Sequence, residues 1–182
     1  MKNIGFIGLG IMGKPVVHNL LKAGFSVTVF DVVTDAVNLK TAEGAAAAHS
    51  AKEAAVGADM VITMVPSGPI VRSILSGADG VLAGAAKGTI IADMSSVTPV
   101  ESKEFAELAA EHGCSFLDAP VSGGEPGAVD GTLAIMVGGE AAVLEKARPV
   151  FAAMGKTITL VGPNGSGSVT KLANQVIVNL NI

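Results

Sequence analysis

The sequence predicts an α/β chain: a doubly wound, mostly parallel sheet. Three observations carry that expectation. Apolar runs of strand length alternate with helical patterns along the chain. Most of these runs are rich in Val, Ile or Phe and show little polar alternation, which suits strands covered on both faces. Only 15% of residues are charged while 49% are hydrophobic, which fits either a sheet buried on both faces or a surface that meets another subunit or domain.

The elements follow in order. Ile4, Phe6 and Ile7 mark a strand over Asn3–Ile7. A glycine-rich turn opens a helix over 12–23, which Gly24 stops. A second strand over Ser26–Phe30 ends at Asp31. The stretch 45–48 is only a short alanine bias, and a helix follows over 51–56. The strand 59–64 is closed by Val65-Pro66, and a helix over 69–75 leads to a strand over 88–92. A helix over 99–112 has Thr98 as the natural N-cap, Pro99 at its first position and Gly113 as its stop. The next apolar run, 115–117, places Cys114 as a buried strand residue. Ser122-Gly123-Gly124 reads as the following loop. A strand over 133–137, a helix over 141–153 stopped by Gly155, and a strand over 157–161 complete the alternation. Strand–helix–strand repetition of this kind implies right-handed crossovers. After the loop 162–167, Val169, Leu172, Ala173, Val176, Ile177 and Leu180 recur at three and four, predicting a helix over 168–182.

Composition excludes several classes. There is no Trp or Tyr, aromatics total 3%, and the net charge is −4 without a basic stripe, so no nucleic-acid partner is expected. The single cysteine allows no internal disulfide, and His18, His49 and His112 form no ligand spacing with it, so no metal site is expected. No apolar stretch approaches the roughly 20 residues of a membrane span. Glycines at 5, 8, 10 and 13 and Pro15 interrupt the apolar opening, which argues against a signal peptide. The expectation is a soluble, cytoplasmic protein with no membrane partner.

Gly8-Leu9-Gly10-Ile11-Met12-Gly13 fits G-x-G-x-x-G between a strand and a helix. Gly8 permits the tight turn, Gly10 lets backbone approach a pyrophosphate, and Gly13 lets helix and strand pack closely. The helix start then offers N–H groups and a positive dipole end to phosphates. A plain glycine turn is the other reading of the motif alone. Asp31, eighteen residues after Gly13, stands near the roughly 20-residue offset of a ribose-binding carboxylate; otherwise it is a solvated strand end or a helix cap. The pair predicts a Rossmann-like unit that binds a nicotinamide dinucleotide. A carboxylate accepts bonds from ribose hydroxyls and repels a 2′-phosphate, and Val32-Val33 bring no cation, so NAD is expected over NADP.

These residues, with Asp93-Met94-Ser95-Ser96, Asp118-Ala119-Pro120-Val121-Ser122-Gly123-Gly124 and the run from Gly165 to Gln175, resemble the β-hydroxyacid dehydrogenase family over essentially the whole chain. Glu125-Pro126, Asp130 to Leu133 and the run 171–178 look most like its tartronate semialdehyde reductase branch. The resemblance implies a fragment of an oxidoreductase that reduces tartronate semialdehyde (2-hydroxy-3-oxopropanoate) to glycerate. The alternatives are a 3-hydroxyisobutyrate dehydrogenase, a related short-chain semialdehyde or glyoxylate reductase, or a non-catalytic NAD-binding module. Its substrate would be a small carboxylate-bearing aldehyde or hydroxyacid.

By the same resemblance Lys171 is the acid–base group, and partial desolvation would draw its pKa toward the working pH. A solvated helix lysine is the plainer reading. Asn174 and Gln175, at i+3 and i+4, can share the lysine's pocket. The family often has Asn where Gln175 stands, so which amide meets substrate is open. Ser122, Gly123 and Gly124 would cradle a carboxylate, or form an ordinary turn. Ser96 would lie beside nicotinamide and substrate, or cap a helix, a role Thr98 suits better. Val65 and Pro66 would line the cofactor, or simply end a strand. The implied organisation is a dinucleotide-binding domain over 1–162, then a loop and the first part of an interdomain helix over 163–182. A C-terminal helical domain, absent from this chain, would close the cleft and supply substrate contacts and a dimer interface, giving a homo-oligomer at full length. The helix over 168–182 ends without a C-cap, which fits a longer native protein, and this piece alone is expected to bind cofactor with little turnover.

Overall fold

The computed structural model describes residues 1–180. Its elements in chain order are β1 (Asn3–Ile7), α1 (Gly13–Lys22), β2 (Ser26–Phe30), α2 (Thr34–Ala42), β3 (Ala46–Ala47), α3 (Ala51–Ala55), β4 (Met60–Thr63), α4 (Gly68–Leu75), α5 (Val81–Gly84), β5 (Ile90–Asp93), α6 (Pro99–Glu111), β6 (Ser115–Asp118), β7 (Val121–Ser122), α7 (Gly124–Asp130), β8 (Leu133–Gly138), α8 (Ala141–Ala152), β9 (Gly155–Gly162) and α9 (Ser166–Leu180).

One sheet runs in the order β3-β2-β1-β4-β5-β6-β8-β7, with β9 paired to β8. From β3 to β6 every pairing is parallel. Strand order reverses beside β1, which lies between β2 and β4, and a crevice at the carboxyl ends of such strands is where open α/β sheets take ligands.

The central parallel strands β1, β4, β5 and β6 are mostly apolar because successive residues feed two different cores. Ile4, Phe6, Met60, Ile62, Ile90, Ala92 and Leu117 pack on one side with Val16, Val17 and Leu20 of α1 and Phe151 of α8. Ile7, Val61, Ile91 and Phe116 pack on the other with Ala54, Val71, Leu75 and Phe105. Each fully buried Ile or Phe contributes about 1.5–3 kcal/mol relative to exposure, so a polar residue on either side of these strands would be costly.

Beyond β6 the sheet is no longer all parallel. β8 pairs antiparallel with β6 and β7, and β9 then runs parallel to β8. The segment 123–132 that joins β7 to β8 is shorter than the dozen or more residues a parallel crossover needs.

Several elements escaped the sequence reading. α2 buries only Ala36, Val37 and Lys40, too little for a clean apolar stripe. β3 is two exposed alanines that exist as a strand only through β2. The loop expected at 122–124 is instead the end of β7 and the start of α7, a helix containing Pro126 and Gly127. It is held from outside: the Asn19 side-chain amide donates to the Ala128 carbonyl at 2.8 Å. Gly24 and Gly113 follow α1 and α6 with positive φ, but Gly155 is no helix stop. It opens β9, where a Cβ would come within 2.7 Å of the Leu133 carbonyl oxygen. Cys114 is buried in the turn before β6 rather than in the strand, and burial pushes its thiol pKa up. Thr98 caps α6 as expected, in a reciprocal box with Glu101. α9 starts at Ser166, two residues earlier than predicted, and the last two positions of that predicted helix lie outside the described residues. No helix among the described residues is long and apolar enough to cross a membrane.

Candidate active site

The glycine turn after β1 divides its three glycines by purpose. Gly8 has φ +103° and donates its N–H to the Phe30 carbonyl at 3.1 Å; a Cβ there would overlap the Met64 carbonyl oxygen. A Cβ at Gly13 would overlap the Gly8 carbonyl oxygen. Both glycines are therefore demanded by the fold. A Cβ at Gly10 would meet no protein atom within 4 Å, so the fold does not demand that glycine. Met12, at the start of α1, supplies no side-chain cap; Lys14 donates its N–H to the Gly10 carbonyl at 3.2 Å and Pro15 has none, so the Gly13 N–H is the helix donor left for an anion. The Ile11 side chain is exposed, whereas Leu9 packs into the core and brings only its backbone to the site.

Asp31 binds this turn directly. Its Oδ2 accepts from the Leu9 N–H at 2.6 Å and its Oδ1 from the Val33 N–H at 2.8 Å. Two backbone bonds fix the carboxylate at the tip of β2, beside the cleft that the glycines line. Val32 and Val33 are exposed and carry no charge. An uncapped helix start, open space over Gly10 and a carboxylate one strand away fit a nicotinamide dinucleotide.

The cleft has a volume of about 1520 Å³ and runs from Gly8, Gly10 and Asp31 past Val65, Pro66 and Ser96 to Ser122, Gly123, Gly124, Lys171 and Gln175. Val65 and Ser96 are set by a residue the sequence reading gave no role. Asp93, buried at the end of β5, accepts through Oδ1 from the Thr63 hydroxyl at 2.8 Å and the Ser95 N–H at 3.1 Å. The Ser95 hydroxyl in turn accepts from the Val65 N–H at 3.0 Å. Burial foremost, together with the nearby Asp118 carboxylate, raises the pKa of Asp93. Ser96 is exposed on the cleft and does not cap α6.

At the far end α9 meets β7. The Lys171 Nζ donates to the Gln175 Oε1 at 2.8 Å. The Asn174 amide nitrogen stands 3.4 Å from both that oxygen and the Ser122 Oγ. Lys171 is half-buried, and desolvation lowers its pKa. Its bonding partner is a neutral amide, so no carboxylate there offsets the shift. Gln175 lines the cleft; Asn174 stands behind it, joining Gln175 to Ser122. Gly123 and Gly124 both have positive φ, and this turns the chain from β7 straight into α7.

A second buried carboxylate was also missed. Asp118 ends β6, and its oxygens accept from the Gly165 N–H at 2.8 Å and the Ser168 N–H at 3.1 Å, at the start of α9. The signal available in the sequence was an acidic residue closing an apolar strand. Among the described residues, no group of three or more His, Cys, Asp and Glu is placed to hold a metal.

Residues 3–162 match the family model described as the NAD binding domain of 6-phosphogluconate dehydrogenase. The chain is 49% identical over 98% of its length to an NAD-dependent L-serine dehydrogenase of Pseudomonas aeruginosa, covering 60% of that protein. It is 48% identical over 98% of its length to a 2-hydroxy-3-oxopropionate reductase of Escherichia coli, covering 61%. Among solved structures, a 3-hydroxyisobutyrate dehydrogenase of Mycobacterium tuberculosis with L-serine superposes with a TM-score of 0.93 at 42% identity, covering 98% of this chain and 60% of that one. The chain thus spans about three fifths of the length of these relatives.

Proposed function

We propose a function from one premise: the chain belongs to the 3-hydroxyisobutyrate dehydrogenase-like β-hydroxyacid dehydrogenases, and its residues 3–162 match the model of the NAD binding domain of 6-phosphogluconate dehydrogenase. In this reading residues 1–162 hold the dinucleotide, and 163–182 form the loop and first part of a helix leading to a second domain. The full-length protein reduces tartronate semialdehyde to glycerate. The observation that carries the reading is a single cleft with an open, uncapped helix start and Asp31 at one end and the half-buried Lys171 at the other.

Each residue has a task. The Gly13 N–H at the start of α1 and the bare Gly10 receive the pyrophosphate, and Asp31 accepts from the adenosine ribose hydroxyls. With Val32 and Val33 beside it and no cation, Asp31 favours NAD over NADP. Val65, Pro66 and Ser96 line the nicotinamide end. A bound NADH supplies the hydride. Ser122, Gly123 and Gly124 hold the substrate carboxylate, and Gln175, on the cleft, meets substrate in preference to Asn174. Lys171 gives its ammonium proton to the carbonyl oxygen as the C=O bond becomes C–OH, and its charge stabilises the oxygen as negative charge develops.

A second reading has its own support. The serine dehydrogenase relative and the structure with L-serine favour the reverse sense, in which Lys171 takes a proton from the hydroxyl of a 3-hydroxy acid. The test compares the full-length protein on tartronate semialdehyde with NADH and on L-serine and 3-hydroxyisobutyrate with NAD. We expect the highest kcat/KM on the semialdehyde; a higher value on L-serine would replace the first reading with the second. Tighter binding of NADPH than NADH would overturn the role given to Asp31.

A further inference from the structure

We propose that Asp118 is a positioning residue for Lys171: its carboxylate seats the first turn of α9 on the sheet and so fixes where the lysine ammonium stands in the cleft. The proposal rests on the reading of Lys171 as the acid–base group.

Within this chain α9 meets the sheet at its first turn. Of its described residues only Gly167 and Ser168 are buried. That turn is bonded by Asp118, itself only 1% exposed. Its two oxygens grip the Gly165 and Ser168 N–H groups separately. Two bonds from one planar group set both the distance and the rotation of the turn, and a negative charge at a helix start is favoured by the dipole.

The surroundings are shaped to that carboxylate. A Cβ on Gly138 would stand 2.5 Å from its Oδ1, and one on Gly167 would stand 2.8 Å from its Oδ2. The Gly167 Cβ would also come within 2.5 Å of the Met136 carbonyl oxygen and 2.6 Å of the Asp118 carbonyl oxygen. The turn thus lies directly on the backbone of β6 and β8. The Ser168 hydroxyl pairs with that of Ser102 on α6 at 2.8 Å. Lys171 follows Ser168 by one turn, so a rotation at 168 carries the lysine with it.

An ordinary helix cap would affect stability alone. A positioning role also predicts a change in the environment of Lys171, with a telling sign. Removing a negative charge by direct electrostatics lowers a lysine pKa. Loosening α9 instead hydrates the ammonium and raises it. The experiment follows acetylation of Lys171 against pH by mass spectrometry in full-length wild type, Asp118→Asn and Asp118→Ser, the last guarding against an Asn variant that does not fold. Thr98→Ala, which weakens another helix start, is the control. We expect the apparent pKa of Lys171 to rise by about half a unit or more in the Asp118 variants and to stay put in Thr98→Ala. We also expect kcat to fall about tenfold to a hundredfold, with NADH affinity within about twofold of wild type. A folded Asp118 variant with the Lys171 pKa unchanged or lowered overturns the proposal. The labelling needs no turnover, so a wild type inactive on every substrate defeats the acid–base reading and leaves the labelling to decide on Asp118.

Discussion

Two helix starts face the carboxyl edge of this sheet, and they are finished in opposite ways. α1 begins without a side-chain cap, above a glycine whose missing Cβ faces open space. α9 begins on the chain's own carboxylate, with Asp118 bonded to Gly165 and Ser168. Both have the same dipole sense, although Pro15 stands without an N–H in α1 where α9 offers that of Ser168. The nearest acid decides what they are for. Asp31 lies close to α1 but spends its oxygens on Leu9 in the preceding turn and on Val33 two residues onward, so the helix start stays available to an anion from outside. At α9 the anion is internal, and the helix start becomes a mount for Lys171.

The contrast can be broken from either side. The largest effect is expected at the mounted lysine: Lys171→Ala should cut turnover of the full-length protein by about 10²–10⁴-fold while leaving NADH affinity within about twofold. Near-normal turnover would remove the lysine from the chemistry. The pH profile should follow the same group. Burial lowers the Lys171 pKa, and reduction needs the ammonium. Reduction should therefore fall, about tenfold per pH unit, above a pKa lower than that of an ordinary lysine, while oxidation rises through the same pKa. A reduction rate flat to the pKa of a solvated lysine would contradict the desolvated site.

The glycines sharpen the other side. Gly13→Ala places a Cβ onto the Gly8 carbonyl oxygen, so chemical denaturation should show a loss at or above the roughly 1–3 kcal/mol of overpacking. Gly10→Ala meets no protein atom and should leave stability within about 0.5 kcal/mol, yet weaken the dinucleotide by about tenfold or more in a fluorescence titration. Equal effects of the two substitutions on stability would erase the distinction between fold and ligand glycines. The smallest effect belongs to a cap with no ligand in view. Thr98→Ala removes one half of the α6 box with Glu101 and should cost about 1 kcal/mol, with cofactor binding intact.

Legibility in the sequence followed chain distance. The turn from Gly8 to Gly13 is six residues long: Gly8 is required by its φ and the Met64 carbonyl and Gly13 by the Gly8 carbonyl, while Gly10 meets no protein atom. Thr98, Pro99 and Glu101 form a cap within one helical turn and could be read as one. Lys171 and Gln175 could be paired because four residues on a helix share a face. By contrast Asp93 and Asp118 looked like strand-end acids, because nothing local says that the partners of Asp118 lie 47 and 50 residues onward. α7, with its internal Pro126 and Gly127, has poor intrinsic helicity and gains support from Asn19, 109 residues earlier.

Legible from the sequence alone are β1, β2, β4, β5 and β6 and the nucleotide turn, but not the two-residue β3. Hydrophobic period, strand length and glycine spacing are properties of short segments, and two-sided burial leaves an unbroken apolar run that can be read directly. It took the folded chain to show that it turns back antiparallel after β6, that Ser122 stands beside Asn174, and that the buried Asp118 carboxylate bonds the first turn of α9. Those facts arise from contacts between residues far apart in the chain, whose pairing is selected by the packing of the whole domain and leaves no period in the letters.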